Sequence, residues 1–133
     1  MAYAIYAGAT SAGGASGGVF VGVSGEAGQT RSARWIQARH GDRIGVRGND
    51  TACVRELVAA GAGLSVFPCF VGDSDPRLVR MTDPITELET DQWLVSHHEE
   101  RHTLAVRTVA DRIADLMAKH GALFRGEAPR GSG

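Results

Sequence analysis

The chain has 133 residues, 43% of them hydrophobic and only 6% aromatic, with a formal charge of −1. That length suits one small domain, on a usual scale of ~100–200 residues, and its core must come from Val, Leu, Ile and Ala. Near-neutral charge removes any general electrostatic drive toward nucleic acid or an anionic membrane. The two cysteines, Cys53 and Cys69, have no metal-ligand spacing and no secretory context, so they read as reduced thiols. No run approaches the ~20 apolar residues of a membrane span, and the N-terminus has no basic region leading into a continuous apolar one. A soluble, cytoplasmic protein is expected.

Residues 1–7, an apolar run carrying Tyr3 and Tyr6, predict a strand. Residues 8–18, GATSAGGASGG, stand where a phosphate-cradling loop would follow a strand. They lack the Lys-Ser/Thr of a Walker loop and the G-x-G-x-x-G spacing, so a loop or frayed helix is expected and no nucleotide cofactor. Val19, Val21 and Val23 alternate with period two and predict a short strand, and residues 25–31 a turn. Trp35 and Ile36 lie among Arg31, Arg34, Arg39, His40 and Arg43. With one interleaved aromatic and acidic residues balancing the charge, this patch reads as a solvated helix face anchored by Trp35.

Residues 47–69 hold a folding unit in miniature. Asn49 and Asp50 suit an N-cap; Val54, Leu57 and Val58 then fall at helical spacing. Gly61 and Gly63 supply a C-terminal stop. Residues 64–67 are an apolar run too short for a helix, cut by Pro68, and predict a buried strand. With residues 44–46 as a preceding strand, the unit is a β-α-β crossover, which predicts a parallel sheet.

Further along, Asp73, Ser74 and Asp75 imitate a calcium loop but lack its sixth-position Gly and terminal Glu. They read as a turn before Pro76. Residues 78–81 predict a strand and 82–90 a connector. Residues 97–102, HHEERH, contain three imidazoles and two carboxylates without an H-E-x-x-H pattern, and read as a solvated turn, so no metal is expected. Thr103 caps the clearest helix, whose stripe is Val106, Val109, Ala110, Ile113, Leu116 and Met117, ending at Gly121. Residues 126–133 are rich in Gly, Pro and charge, and disorder is expected there. Ser65 falls in a predicted buried strand and Cys69 follows a proline. Neither has an activating partner, so no enzymatic activity is expected.

The ordered series RGNDTACVRELVAAGAGLSVFPCFVGDSDPRLVRM, then Trp93-Leu-Val-Ser-His97 with Arg101, resembles the effector-binding domain of LysR-type transcriptional regulators. Tyr3-Ala-Ile-Tyr-Ala7 is similar to the strand that opens the same subdomain, and the resemblance covers residues 1–120 or so. It departs at residues 8–18, where the family usually carries a short helix with larger side chains. The resemblance implies an α/β fold: one Rossmann-like subdomain of a type 2 periplasmic-binding-protein-like architecture. Residues 1–92 would be the second, effector-binding subdomain, 93–120 a returning strand and C-terminal helix, and 121–133 a flexible tail. A small effector would bind in the cleft between subdomains, against Arg47, Gly48, Asn49, Asp50, Thr51 and Pro68. The N–H groups at the helix start suit an anion such as a carboxylate; Arg47 could add a charge-assisted pair.

The resemblance also implies that a first subdomain and a helix-turn-helix would precede this stretch in a whole regulator. The expectation is therefore a truncated sensing domain that does not bind DNA by itself. Its last helix would pack abnormally or expose its stripe, which favours self-association and a dimer. A rival reading is a stand-alone small-molecule binding or protein-interaction module.

Overall fold

Period-two alternation builds the centre of the molecule. The computed structural model describes residues 1–10 and 18–127. Strand β1 (Tyr3–Gly8) sends Ala4 and Tyr6 into one apolar cluster and Tyr3 and Ile5 into another. It pairs antiparallel with β4 (Ser65–Pro68) and with β5 (Leu78–Arg80), and Tyr6 stands opposite both Ser65 and Arg80. Strand β2 (Phe20–Val23) pairs in parallel with β3 (Ile44–Gly48). A parallel bridge between Phe20 and Leu64 joins the two sheets, through Val21 N–H to Leu64 O (2.8 Å) and Leu64 N–H to Val19 O (2.9 Å). The continuous order is β3-β2-β4-β1-β5.

Helix α1 (Arg31–His40) covers one face and α2 (Thr51–Ala59) the other. Val54 and Val58 of α2 pack with Ala4, Tyr6, Val21 and Phe67. Ile36 of α1 packs with Phe20, Val66 and Leu88, with Trp35 partly buried beside them. Three layers result, and each fully buried branched or aromatic side chain contributes roughly 1.5–3 kcal/mol. Both helices start on side-chain caps: Thr30 accepts from Ala33 N–H (3.3 Å) and Asp50 from Cys53 N–H (2.7 Å). Gly61, at φ +89°, lets the chain turn just after the C-cap of α2.

Two sequence expectations change here. The crossover β3-α2-β4 is present, but β2 lies between its strands, and the sheet is mixed rather than parallel. The connection from β4 to β5, residues 69–77, contains only the short helix α3 (Cys69–Gly72) and a turn. Direct parallel neighbours need a crossover of about a dozen residues or more. So β1 fills the place between β4 and β5, running the other way.

Residues 93–97 form no strand, against expectation. No sheet edge reaches them, and a strand without a ladder partner has no bond to hold it. The helix after them, α4 (Leu104–Lys119), does form, capped by Thr103, and none of its residues is buried. The tail expected from residue 121 is ordered in part. Helix α5 (Gly121–Phe124) returns to the sheet, where Ala2 N–H donates to Phe124 O (2.8 Å) and the Phe70 and Phe124 rings meet at 4.9 Å. Arg80 donates to Gly126 O (2.8 Å) and to the carboxylate of Asp73, which also accepts from the Tyr6 hydroxyl (2.8 Å). The glycine-rich residues 11–17, including Gly13 and Gly14, and residues 128–133 lie outside the described residues.

Candidate functional site

Strands β2, β3 and β4 run in the same direction, so Val23, Gly48 and Pro68 end on one edge of the sheet. Open α/β sheets bind ligands outside the carboxyl ends of such strands. With β2 between them, Gly48 and Pro68 are separated by two strand spacings, roughly 10 Å. Ser24 leaves β2 at this edge, and both its N–H (2.8 Å) and its hydroxyl (3.1 Å) donate to Gly48 O. That pair of bonds fixes the loop after β2 to the start of the loop after β3. Sequence reasoning passed over Ser24; its position directly after the predicted strand 19–23 was the available signal.

Gly48 is buried, and a Cβ there would lie 2.9 Å from Val54 Cγ2 and 3.1 Å from Val54 N. Close approach of β3 to α2 therefore requires glycine, and it sets the first turn of α2 at the edge. Asn49, Asp50 and Thr51 are exposed there. The Asp50 carboxylate turns back onto Cys53 N–H, so its oxygen is used as a cap. Among the described residues no partner accepts from the N–H groups of Thr51 and Ala52, which point out of the first turn.

Arg47 is placed differently from its neighbours. Successive side chains alternate across a strand. Gly48 faces α2, so Arg47 faces α1, where its guanidinium donates to Gln37 Oε1 (2.6 Å). The structure thus gathers Gly48, Asn49, Asp50, Thr51 and Pro68 along one edge, and carries the Arg47 guanidinium to the opposite face. What remains is a set of outward donors with the positive end of a helix behind them, able to hold an acceptor group.

Cys69 follows Pro68 but is buried, and that burial pushes its thiol above the usual range, which keeps it protonated and inert. His40 lies at the far end of α1, its ring stacked on Phe20 at 4.1 Å. Burial, then the Arg43 guanidinium, hold its pKa below the ordinary value. The HHEERH segment is an exposed turn, in which His97 Nδ1 accepts from Glu99 N–H (3.3 Å) and Arg101 donates to His102 (3.1 Å). Among the described residues no group of three or more His, Cys, Asp or Glu converges as a metal site. Nor is any helix there long and apolar enough to cross a membrane.

Comparison with known proteins agrees with this architecture at the level of the family. No curated protein and no solved structure matches the chain. The sequence profile described as LysR substrate binding domain matches residues 14–118, well over half of the chain. That span takes in β2 to β5, the helices on both faces of the sheet and nearly all of α4. The chain belongs to the LysR substrate-binding-domain family.

Proposed function

We propose that this chain is the effector-sensing part of a LysR-type transcriptional regulator, and that a small anionic effector seats at the carboxyl edge of β2, β3 and β4. Family membership implies effector sensing. The observation that carries the position is the pair of outward N–H groups at Thr51 and Ala52, beside Gly48 and Pro68. In this reading a carboxylate oxygen of the effector accepts from those donors. Asn49 and the Thr51 hydroxyl bind further polar groups, and Pro68 forms an apolar wall. Arg47 makes no direct contact, because Gln37 holds it on the α1 face. A second α/β half closes the cleft from the other side. A stand-alone interaction module is the second reading, favoured by the exposed apolar stripe of α4.

A thermal-shift series on the whole chain tests the site, using mono- and dicarboxylates against their neutral amides. One carboxylate class is expected to raise the melting temperature, with a stabilisation of about 2.7 kcal/mol once the ligand reaches ~100 times its dissociation constant. Proline is well tolerated at the first helical position, so Thr51→Pro removes one donor and the hydroxyl while leaving α2 intact. Asp50 already has the extended backbone that precedes a proline (φ −148°, ψ 170°). Thr51→Pro should abolish the ligand-induced shift without lowering the melting temperature of the free protein. A shift that survives the substitution, or carboxylates that act no better than their amides, would sink the proposal.

A further inference from the structure

Residues 91–120 form an arm that leaves the layered core at Thr90, whose N–H donates to Met1 O (3.0 Å), and rejoins it through α5. Among the described residues no hydrogen bond joins 93–119 to the core, so the arm's polar attachments are these two joints. They differ in kind. At Thr90 a backbone pairing at one point can act as a pivot. Only His120 separates α5 from α4, and the turn between them is bonded: His120 N–H donates to Leu116 O (3.1 Å) and Phe124 N–H to His120 O (3.2 Å). Where α5 sits therefore sets the direction of α4.

Helix α5 sits in a fitted seat, with Phe124 O bonded to Ala2 and its ring against Phe70 of α3. Gly126 follows at φ +71°, and a Cβ on it would stand 3.0 Å from Cys69 Sγ and 3.2 Å from Pro84 Cγ. Glycine alone suits both that backbone and that space. The Arg80 side chain, 9% exposed, donates to Gly126 O (2.8 Å) and is oriented by Asp73, which accepts in turn from the Tyr6 hydroxyl. A cationic donor anchors a carbonyl more firmly than a neutral one. Yet no residue of α5 is buried, so the seat can empty without opening the core.

We propose that residues 121–127 are a latched strap. Seated, it fixes one angle between α4 and the sheet; released, it lets the arm swing about the Met1–Thr90 joint. Arg80 is the positioning residue of the latch, and Gly126 O is its catch. The seat adjoins the carboxyl edge of the sheet, since Tyr3 stands opposite Pro68 and Cys69 N–H donates to Ala2 O (2.8 Å). The strap does not depend on the effector reading, since no ligand takes part in it.

Double electron-electron resonance on the whole chain tests it, with nitroxides at Ala60→Cys and Arg107→Cys in a Cys53→Ser background, diluted with unlabelled chain. Both labelled positions are exposed, and Cys69 is buried and stays unlabelled. A single narrow distance distribution is expected. Gly126→Ala strains the turn and crowds Cys69, and Phe124→Ala removes the ring contact. Each should lose the narrow peak while circular dichroism shows the same helix content. A broad distribution with the strap unaltered overturns the proposal, because the arm is then not held. A peak that stays narrow in both variants also overturns it, because another contact then sets the angle. So does a peak lost together with helix content, because α4 would then need the seat for its fold rather than for its angle.

Discussion

Helix α2 buries Val54 and Val58 against the sheet, whereas the longer α4 carries a wider apolar stripe and buries no residue at all. Both are capped by a side-chain oxygen at the N-terminus, by Asp50 in one and Thr103 in the other. Local signals are therefore equivalent in the two helices. The difference lies in what stands opposite: α2 faces a sheet whose strands present Ala4, Tyr6, Val21 and Phe67, and the stripe of α4 has residues 94–96 beside it and no sheet. An amphipathic pattern specifies a helix and a face to be covered; it does not supply the cover.

The contrast breaks most severely in the core, at Gly72. A Cβ there would come within 2.2 Å of the Tyr6 ring, whose hydroxyl donates to the Asp73 carboxylate that also accepts from Arg80 at the end of β5. Gly72→Val is expected to cost about 3 kcal/mol or more through overpacking. Chemical denaturation should show a protein that is partly unfolded in buffer.

A matched pair sharpens the contrast directly. Val58→Ala leaves a cavity in the α2 face and should cost about 2 kcal/mol. Val109→Ala changes an exposed valine in α4 by the same two methyl groups and should stay within about 0.5 kcal/mol. Urea titrations of both variants, run well below any dimer dissociation constant, give the comparison. Equal costs would mean that the α4 face is covered even in the monomer.

The smallest expected effect is a pH dependence that resides in the core. His40 has a folded pKa below its ordinary 6.5, from burial against Phe20 and from the Arg43 charge. The unfolded chain then binds more protons in that window, so stability rises with pH. Stability present above pH 6.5 should be lost as the pH falls through that value toward the folded pKa of His40. His40→Phe should flatten the slope between about pH 7 and 5. Further loss belongs to the carboxylates of Glu56 and Asp75, held low by Arg77, and of Glu87, held low by Arg39; it begins only below their ordinary values of 4.5, 3.8 and 4.5.

Much of the layered core was legible in the residues. The apolar run in residues 1–7, the alternation in 19–23, the Asp50 cap, the glycines after α2 and the apolar run before Pro68 all mark elements that form within a residue or two of expectation. Each is a local signal, set by one side chain and its near neighbours. The mixed sheet was not legible, because the antiparallel placement of β1 depends on how short the β4–β5 connection is in space. At the candidate site, Asn49 and Asp50 could be read from the residues as a helix cap, while Gly48, Thr51 and Pro68 were singled out only through the family resemblance. The turning of Arg47 onto Gln37 could not, since it follows from which face of β3 looks toward α1. Residues 93–97 have the composition of a strand and no ladder.

By itself the sequence determined the family, the cap-helix-turn-strand unit and the stripe on α4, because periodicity, capping and turn chemistry act over a few residues. Tertiary structure decided which strands became neighbours, which side of the sheet received Arg47, and that α5 folds back onto Ala2 while α4 stays uncovered. Those outcomes depend on long-range pairing and burial, and burial is a property of two surfaces, of which a stripe in one segment gives only one.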